Sequence, residues 1–137
     1  MTDQRRLAGL ADTIFVGTVT GNNGIRFRHE IIAVTRFSVN VVQAIKGNAS
    51  GVVAVEQEGG HDPQTNITYT IKGDRALAVG ASYLFATIMR PKEAVYSVIS
   101  IYGDTPLTRQ EVAAVTTNSP PAAVVRMRES ISHQIPS

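Results

Sequence analysis

The sequence predicts a mainly β protein, an antiparallel barrel or sandwich of five or six strands. Most segments alternate apolar and polar residues and are rich in valine, isoleucine and threonine, as strands are. Short stretches with glycine, asparagine or proline separate these segments, and such residues favour turns. No segment of helical periodicity lies between the predicted strands, so a βαβ arrangement is not expected.

The chain begins with a predicted helix, a strand and a turn. Leu7 and Leu10 are three residues apart, which predicts a short helix over residues 3–11. Residues 13–20 (TIFVGTVT) are rich in β-branched side chains and predict the first strand. The sequence GNNG at 21–24 predicts a turn, because glycine and asparagine tolerate positive φ.

A long extended segment is predicted over residues 25–45. Its alternation changes phase at Val41 and Val42, which predicts a β-bulge that bends the strand. A turn over residues 46–51 follows, and a glycine pair opens a loop after the next strand. The later predicted strands cover residues 52–58, 66–72, 83–89 and 95–102.

The C-terminal part changes to helical periodicity. Thr108 and Glu111 form an S/T-x-x-E capping box, which predicts a helix start. After a break at 118–121 a second helix is predicted, with an apolar stripe of residues three or four apart. The stripe consists of Val124, Met127, Ile131 and Ile135. We therefore divide the chain into a β-barrel domain over residues 1–106 and a helical C-terminal extension over residues 107–137.

Composition restricts the classes of function. The chain has 137 residues, of which 43% are hydrophobic and 18% charged, and this suits one folded domain with its own core. It has no cysteine, which excludes disulfides and thiolate metal sites. The formal net charge of +2 indicates no strong basic field.

No targeting or membrane segment is predicted. No apolar run reaches the ~18 residues of a membrane span. The N-terminal residues lack the apolar region of a signal peptide. A mature exported domain and a cytoplasmic protein are both consistent with this sequence.

Several stretches together resemble a group of small, mostly uncharacterised bacterial domains. They are LADTIFVGTVT, FSVNVVQAIKG, VVAVEQEGG, VGASYLFATI and YSVISIYG. Those domains resemble the five-stranded OB-type barrel of netrin-like modules and tissue inhibitors of metalloproteases. The resemblance covers residues 5–102 and implies an OB-like barrel. It implies no inhibitory wedge, because that device depends on cysteines that this chain lacks.

A polar cluster at the end of one predicted strand is the candidate for metal binding or catalysis. Glu56 and Glu58 are two residues apart on a strand and point to the same side. His61 and Asp62 follow a glycine pair that lets the chain fold back. Carboxylates and imidazole can ligate a divalent ion, although no fixed ligand spacing is present. The alternative is a solvated strand end with a polar loop.

A second candidate surface suits single-stranded nucleic acid. Arg26, Phe27, Arg28 and Arg36 supply charge and a stacking ring, and OB barrels often bind nucleic acid in this way. Tyr69, Tyr83 and Tyr102 would add aromatic surface. The alternative is a set of core aromatics with arginines on a solvated edge that blocks strand pairing.

The C-terminal stripe is the third candidate. Val124, Met127, Ile131 and Ile135 either pack on the protein's own barrel or bind a partner, because a stripe of this length must be buried against something. No motif identifies a reaction or a cofactor. We therefore expect a non-enzymatic binding module for a protein partner or self-association. The alternatives are a single-stranded nucleic-acid-binding OB fold and a divalent-metal-dependent enzyme using residues 56–62.

Overall fold

Eight strands and three helices make up the part of the chain that this computed structural model describes, residues 4–71, 75–99 and 103–133. The strands are β1 (Thr13–Arg28), β2 (Ile32–Lys46), β3 (Val52–Glu58), β4 (Gly60–Asp62), β5 (Ile67–Tyr69), β6 (Ser82–Arg90), β7 (Val95–Val98) and β8 (Asp104–Leu107). The helices are α1 (Gln4–Leu10), α2 (Arg109–Ala114) and α3 (Ala122–Ser132).

Five of the strands close into a ring. The sheet order is β1-β2-β3-β7-β6-β8, and β6 also pairs with β1. Strand β8 lies outside the ring on β6, and β4 and β5 form a separate two-stranded sheet. The prediction of a mainly β fold with short helices near both ends is confirmed.

The prediction that all strands are antiparallel is wrong at one pair. Strands β3 and β7 run parallel, with Val55 opposite Tyr96 and Glu56 opposite Ser97. A closed ring of five strands requires such a pair, because directions can alternate around a ring only when the number of strands is even. The parallel pair therefore follows from closure with an odd number of strands.

The first hairpin also differs from the prediction. Strand β1 continues through residues 21–24, where the pairing with β2 shifts register instead of turning. Glycine and asparagine serve bulges as well as turns, so their presence did not mark the end of the strand. The predicted bulge in β2 is confirmed, since Val16 pairs with Gln43 and Gly17 with Val41, leaving Val42 out of register.

Two apolar clusters lie on the two faces of the sheet. Neighbouring residues on a strand point to opposite faces, so Phe15 joins one cluster and Ile14 joins the other. The first cluster takes residues from all five ring strands, including Phe37, Val55 and Phe85. The second lies between the sheet and the helices.

The C-terminal helices cover this second cluster. The predicted capping box of α2 is confirmed, because Thr108 and Glu111 each bond the other's backbone N–H. Helix α3 buries Val124 and Met127 against residues of α1 and the sheet. Within the described residues, no helix is both long and apolar enough to span a membrane.

Candidate functional site

The β1–β2 hairpin ends in an unusual turn. His29 and Glu30 have φ of 52° and 67°, and the Ile31 backbone N–H donates to the Arg28 carbonyl at 3.2 Å. A left-handed conformation is uncommon for residues other than glycine and costs ~1 kcal/mol or more at each. Such strain is concentrated at functional positions in proteins, so this turn is a candidate recognition element.

Three exposed apolar side chains surround this turn. Ile31 is 79% exposed, and its neighbours Phe27 and Ile32 are 40% and 36% exposed. We call Phe27, Ile31 and Ile32 the apolar tip. Phe27 pairs with Ala33 and Ile32 pairs with Arg28, so Phe27 and Ile32 lie on opposite faces of the hairpin, with Ile31 in the turn between them. Single exposed apolar residues are common on proteins, but three of them at one turn make this end of the hairpin a candidate contact surface.

A cleft of about 320 Å³ lies beside the hairpin. It is lined by the hairpin, by the end of β3 with β4, by β5, and by residues 75–77. Phe37 and Leu77 line it and are buried, so its inner part belongs to the apolar core. The volume is at the lower end of the range for ligand pockets.

Hydrogen bonds hold the walls of the cleft in place. The Gln57 side chain donates to the Arg75 carbonyl at 2.7 Å and accepts from the Leu77 N–H at 2.9 Å. The Thr35 hydroxyl donates to the Gly59 carbonyl at 2.8 Å. These bonds join segments that are distant in sequence, and they hold the walls of the cleft at fixed positions relative to one another.

One residue of the apolar tip, Phe27, adjoins the cleft. Phe27 packs edge-on against Tyr69, with ring centroids 5.6 Å apart and an interplanar angle of 81°. Tyr69 also lines the cleft, as does Ile25 two residues before Phe27 on β1. A partner that contacts Phe27 is therefore next to the cleft.

A buried carboxylate lies near the hairpin and is paired with two arginines. Glu56 is 4% exposed and accepts from Arg28 at 3.0 Å and from Arg36 at 2.7 and 3.1 Å. Arg28 also donates to the Ser97 hydroxyl at 3.3 Å. Burial raises the pKa of Glu56, but the hydrogen bonds and charges of Arg36 and Arg28 outweigh it and lower the pKa below its usual value.

The predicted metal or catalytic residues do not meet at one point. Glu56 binds the two arginines, and Asp62 accepts from the Gln64 backbone N–H at 3.0 Å. The Nδ1 atom of His61 is 2.9 Å from the Thr68 hydroxyl. Of the four predicted residues, Glu58 and His61 line the cleft. Among the described residues no group of three histidine, aspartate or glutamate side chains is placed to hold a metal ion.

The predicted nucleic-acid residues are only partly available. Arg28 and Arg36 direct their guanidinium groups at Glu56, whereas Arg26 and Phe27 are exposed. Of the tyrosines, Tyr83 is buried and Tyr69 is half-buried. Tyr102 lies outside the described residues.

The predicted partner-binding stripe packs on the protein's own sheet. Val124 and Met127 are buried, and Ile131 is partly buried against the same cluster. Ile135 lies outside the described residues. The stripe is thus covered intramolecularly as far as it is described, which is one of the two arrangements that the sequence left open.

The apolar tip and the cleft are the features that the sequence did not reveal. The pair Ile31-Ile32 directly after His29-Glu30 was the available signal, because two adjacent apolar residues beside a polar turn cannot both face one side of a strand. No protein-family model matches this chain, and no curated protein matches it significantly. The function of this end of the molecule must therefore be inferred from its geometry.

Proposed function

We propose that this protein is a binding module that recognises a partner protein through the apolar tip and the adjoining cleft. The observation that carries the proposal is the Phe27–Tyr69 contact, which joins one residue of the tip to the lining of the cleft. Exposed apolar surface of this kind is stabilised when a partner removes it from water, at ~25 cal/mol for each Å².

A protein fits this surface better than a small molecule does. Ile31 is the most exposed of the large apolar residues in the described part of the chain, and it does not line the cleft. A ligand filling about 320 Å³ would leave Ile31 in water. A protein partner can insert one side chain into the cleft and cover the tip with its neighbouring surface, in the manner of an interface hot spot.

In this proposal the scaffold is an OB-type barrel of the netrin-like kind. Five strands that close into a ring agree with the strand number of that fold. In this proposal the long β1–β2 hairpin is an arm that extends the binding surface. The chain has no cysteine, so a disulfide-held N-terminus is not part of this proposal.

Single-stranded nucleic acid is the less supported partner. Arg26 and Phe27 are exposed next to each other, which favours it. The charges of Arg28 and Arg36 are offset by Glu56, which disfavours it. A labelled oligonucleotide should therefore show no salt-sensitive binding, and tight binding that weakens steeply with salt would favour nucleic acid instead.

Site-specific photocrosslinking tests the proposal. A photoreactive amino acid at position 31 should yield a discrete adduct with one protein in the cells that produce this chain. Position 52 is the matched control, because Val52 is also apolar and 69% exposed but lies at the start of β3. The same adducts at both positions, or none at position 31, would contradict a binding surface at the tip.

A further inference from the structure

One edge of β1 carries no neighbouring strand over the outer half of the β1–β2 hairpin. Strand β6 pairs with β1 over residues 13–18, and the Val19 N–H donates to the Ala81 carbonyl at 2.9 Å. Beyond Val19, no strand of the described residues pairs with this edge, while β1 continues to Arg28 with β2 on its other side. We call residues 20–28 on this side the open edge. Such an edge is a template on which another extended chain can pair.

The hydrogen-bonding pattern of the hairpin identifies the main-chain groups at the open edge. Two residues opposite each other on antiparallel strands either bond each other or both direct their N–H and C=O groups away from each other. The Ala33 carbonyl accepts from the Gly59 N–H at 2.8 Å, on the β3 side of β2. Phe27 lies opposite Ala33, so its own N–H and C=O groups point away from β2, and those of Ile25 follow the same alternation. These two residues therefore present donors and acceptors to an added strand.

The two faces of the sheet at the open edge differ in chemistry. Ile25 and Phe27 are two residues apart and share one face, on which Ile25 lines the cleft and Phe27 contacts Tyr69. Arg26 lies on the other face and is exposed, and its guanidinium donates to a carbonyl of its own strand at 3.3 Å. It has no carboxylate partner among the described residues. One face of the edge is therefore apolar, and the other carries an uncompensated positive charge.

We propose that the partner protein adds an extended segment to the open edge of β1, with apolar side chains on the face of Phe27 and an acidic side chain beside Arg26. This inference rests on the proposed function and specifies the chemistry of the partner. Main-chain hydrogen bonds to an added strand supply affinity, and its alternate side chains supply specificity. Alternation places every second side chain of the added strand next to Phe27 and the cleft, and the others on the side of Arg26.

A second copy of this chain fits the open edge less well. An antiparallel pair of two such edges centred on Arg26 or on Phe27 would place arginine opposite arginine, because Arg28 follows two residues after Arg26. Like charges directly opposite each other destabilise a sheet. The irregular pairing just before Ile25 interrupts a register centred on that residue. A foreign strand with a carboxylate beside Arg26 avoids both problems.

Hydrogen exchange in a peptide complex tests the proposal. The probe is a fluorescein-labelled peptide of alternating valine and glutamate, and the matched control has lysine in place of glutamate. At low ionic strength we expect saturable binding of the glutamate peptide to the full chain, with slowed exchange of the Ile25 and Phe27 amides, and no binding of the lysine peptide. No saturable binding, or binding that leaves both amides unprotected, would overturn the proposal.

Two pairs of variants separate the charge from the main-chain contacts. Arg26→Gln should weaken binding of the glutamate peptide about threefold, as expected for one cross-strand charge pair. Arg128→Gln, at an exposed position of α3, is its control, and equal losses in the two variants would contradict pairing beside Arg26. Ile25→Pro should weaken binding about tenfold relative to Ile25→Ala, because proline removes an N–H that points at the added strand and none that bonds β2. Equal melting temperatures of the two Ile25 variants would show that the hairpin is intact.

Failure of this inference can be told apart from failure of the proposed function. The absence of an adduct at position 31 contradicts the proposed function, whatever the peptide does. A partner captured at position 31 whose complex leaves the Ile25 and Phe27 amides unprotected retains the proposed function and overturns pairing at the open edge. Protection of these amides that rises with the concentration of the protein alone would identify a second copy as the occupant and overturn the foreign strand.

Discussion

Glu56 combines deep burial with a full negative charge. Its carboxylate is almost completely removed from water, yet it remains ionised because three hydrogen bonds from Arg28 and Arg36 replace its hydration. Arg28 lies on β1 and reaches a strand that is not adjacent to it in the sheet. The carboxylate thus ties the hairpin arm to β3.

Replacing Glu56 by glutamine should lower the free energy of unfolding by about 2 kcal/mol, because two partly buried guanidinium groups lose their counter-charge. Urea denaturation at pH 7 measures this loss. Glu93→Gln is the control, because Glu93 is an exposed turn residue. A loss at Glu56 no larger than the loss at Glu93 would show that the ion pairs do not stabilise the fold.

The lowered pKa of Glu56 predicts that the stability of the fold depends on pH. The pKa of Glu56 is lower in the folded protein than in the unfolded chain, where the pKa of glutamate is about 4.3. The contribution of the ionised carboxylate to the free energy of unfolding is therefore complete well above that pH, and it is lost as the pH falls through the folded-state pKa. The stability difference between wild type and Glu56→Gln should stay constant above about pH 6 and shrink as the pH falls below about 4.3 and through the lowered folded-state pKa. A constant difference would contradict this linkage.

At the scale of elements, the junction of β3 and β4 shapes the cleft. Gly59 and Gly60 have the predicted positive φ, 98° and 132°, but the predicted loop contains the short strand β4, which begins at Gly60. A Cβ atom at Gly60 would overlap the Thr35 hydroxyl, the group that donates to the Gly59 carbonyl. This junction therefore accepts only glycine at position 60.

Gly60→Ala should destabilise the protein by about 3 kcal/mol, from backbone strain together with the steric overlap. Gly24→Ala is the matched control: its φ is 91°, but a Cβ there meets open space. We expect the control to lower the free energy of unfolding by only about 1 kcal/mol. Chemical denaturation of both variants gives the comparison, and equal losses would mean that the contact with Thr35 is unimportant.

Elements that depend on local residue chemistry were predictable from the sequence. The capping box and the bulge at Val42 each follow from a few adjacent residues. The hairpin turn was not predictable, because His29 and Glu30 adopt positive φ without the usual glycine or asparagine. The glycines and asparagines that should mark a turn lie instead in a bulged part of β1.

At the scale of the whole molecule, the candidate surface depends on contacts between distant segments. Arg28 and Glu56 are 28 residues apart, and the cleft combines four separate stretches of chain. Alternation predicts which residues of a strand share a face, but it does not predict which strands meet. The parallel pair and the contact between Phe27 and Tyr69 appear only when the strands are assembled.

The C-terminal helix packs in one apolar cluster with α1 and the sheet, and we expect it to unfold together with them. Met127→Ala should cost about 3 kcal/mol, as for other buried methionines, because it leaves a cavity between α3 and the sheet. Val125→Ala on the exposed face of the helix should cost only ~0.5 kcal/mol. A single denaturation transition that shifts for Met127→Ala alone would agree, whereas a separate helix transition would contradict a shared core.

The affinity of the crosslinked partner for tip variants is the most direct test of the proposed function. Ile31→Ser should weaken binding about thirtyfold, as expected for the loss of a central apolar contact of ~2 kcal/mol. Val52→Ser, which removes a similarly exposed apolar residue elsewhere, should leave the dissociation constant unchanged. Calorimetry with the purified partner distinguishes the outcomes. Full affinity in Ile31→Ser, or an equal loss in Val52→Ser, would show that the apolar tip is not the recognition surface.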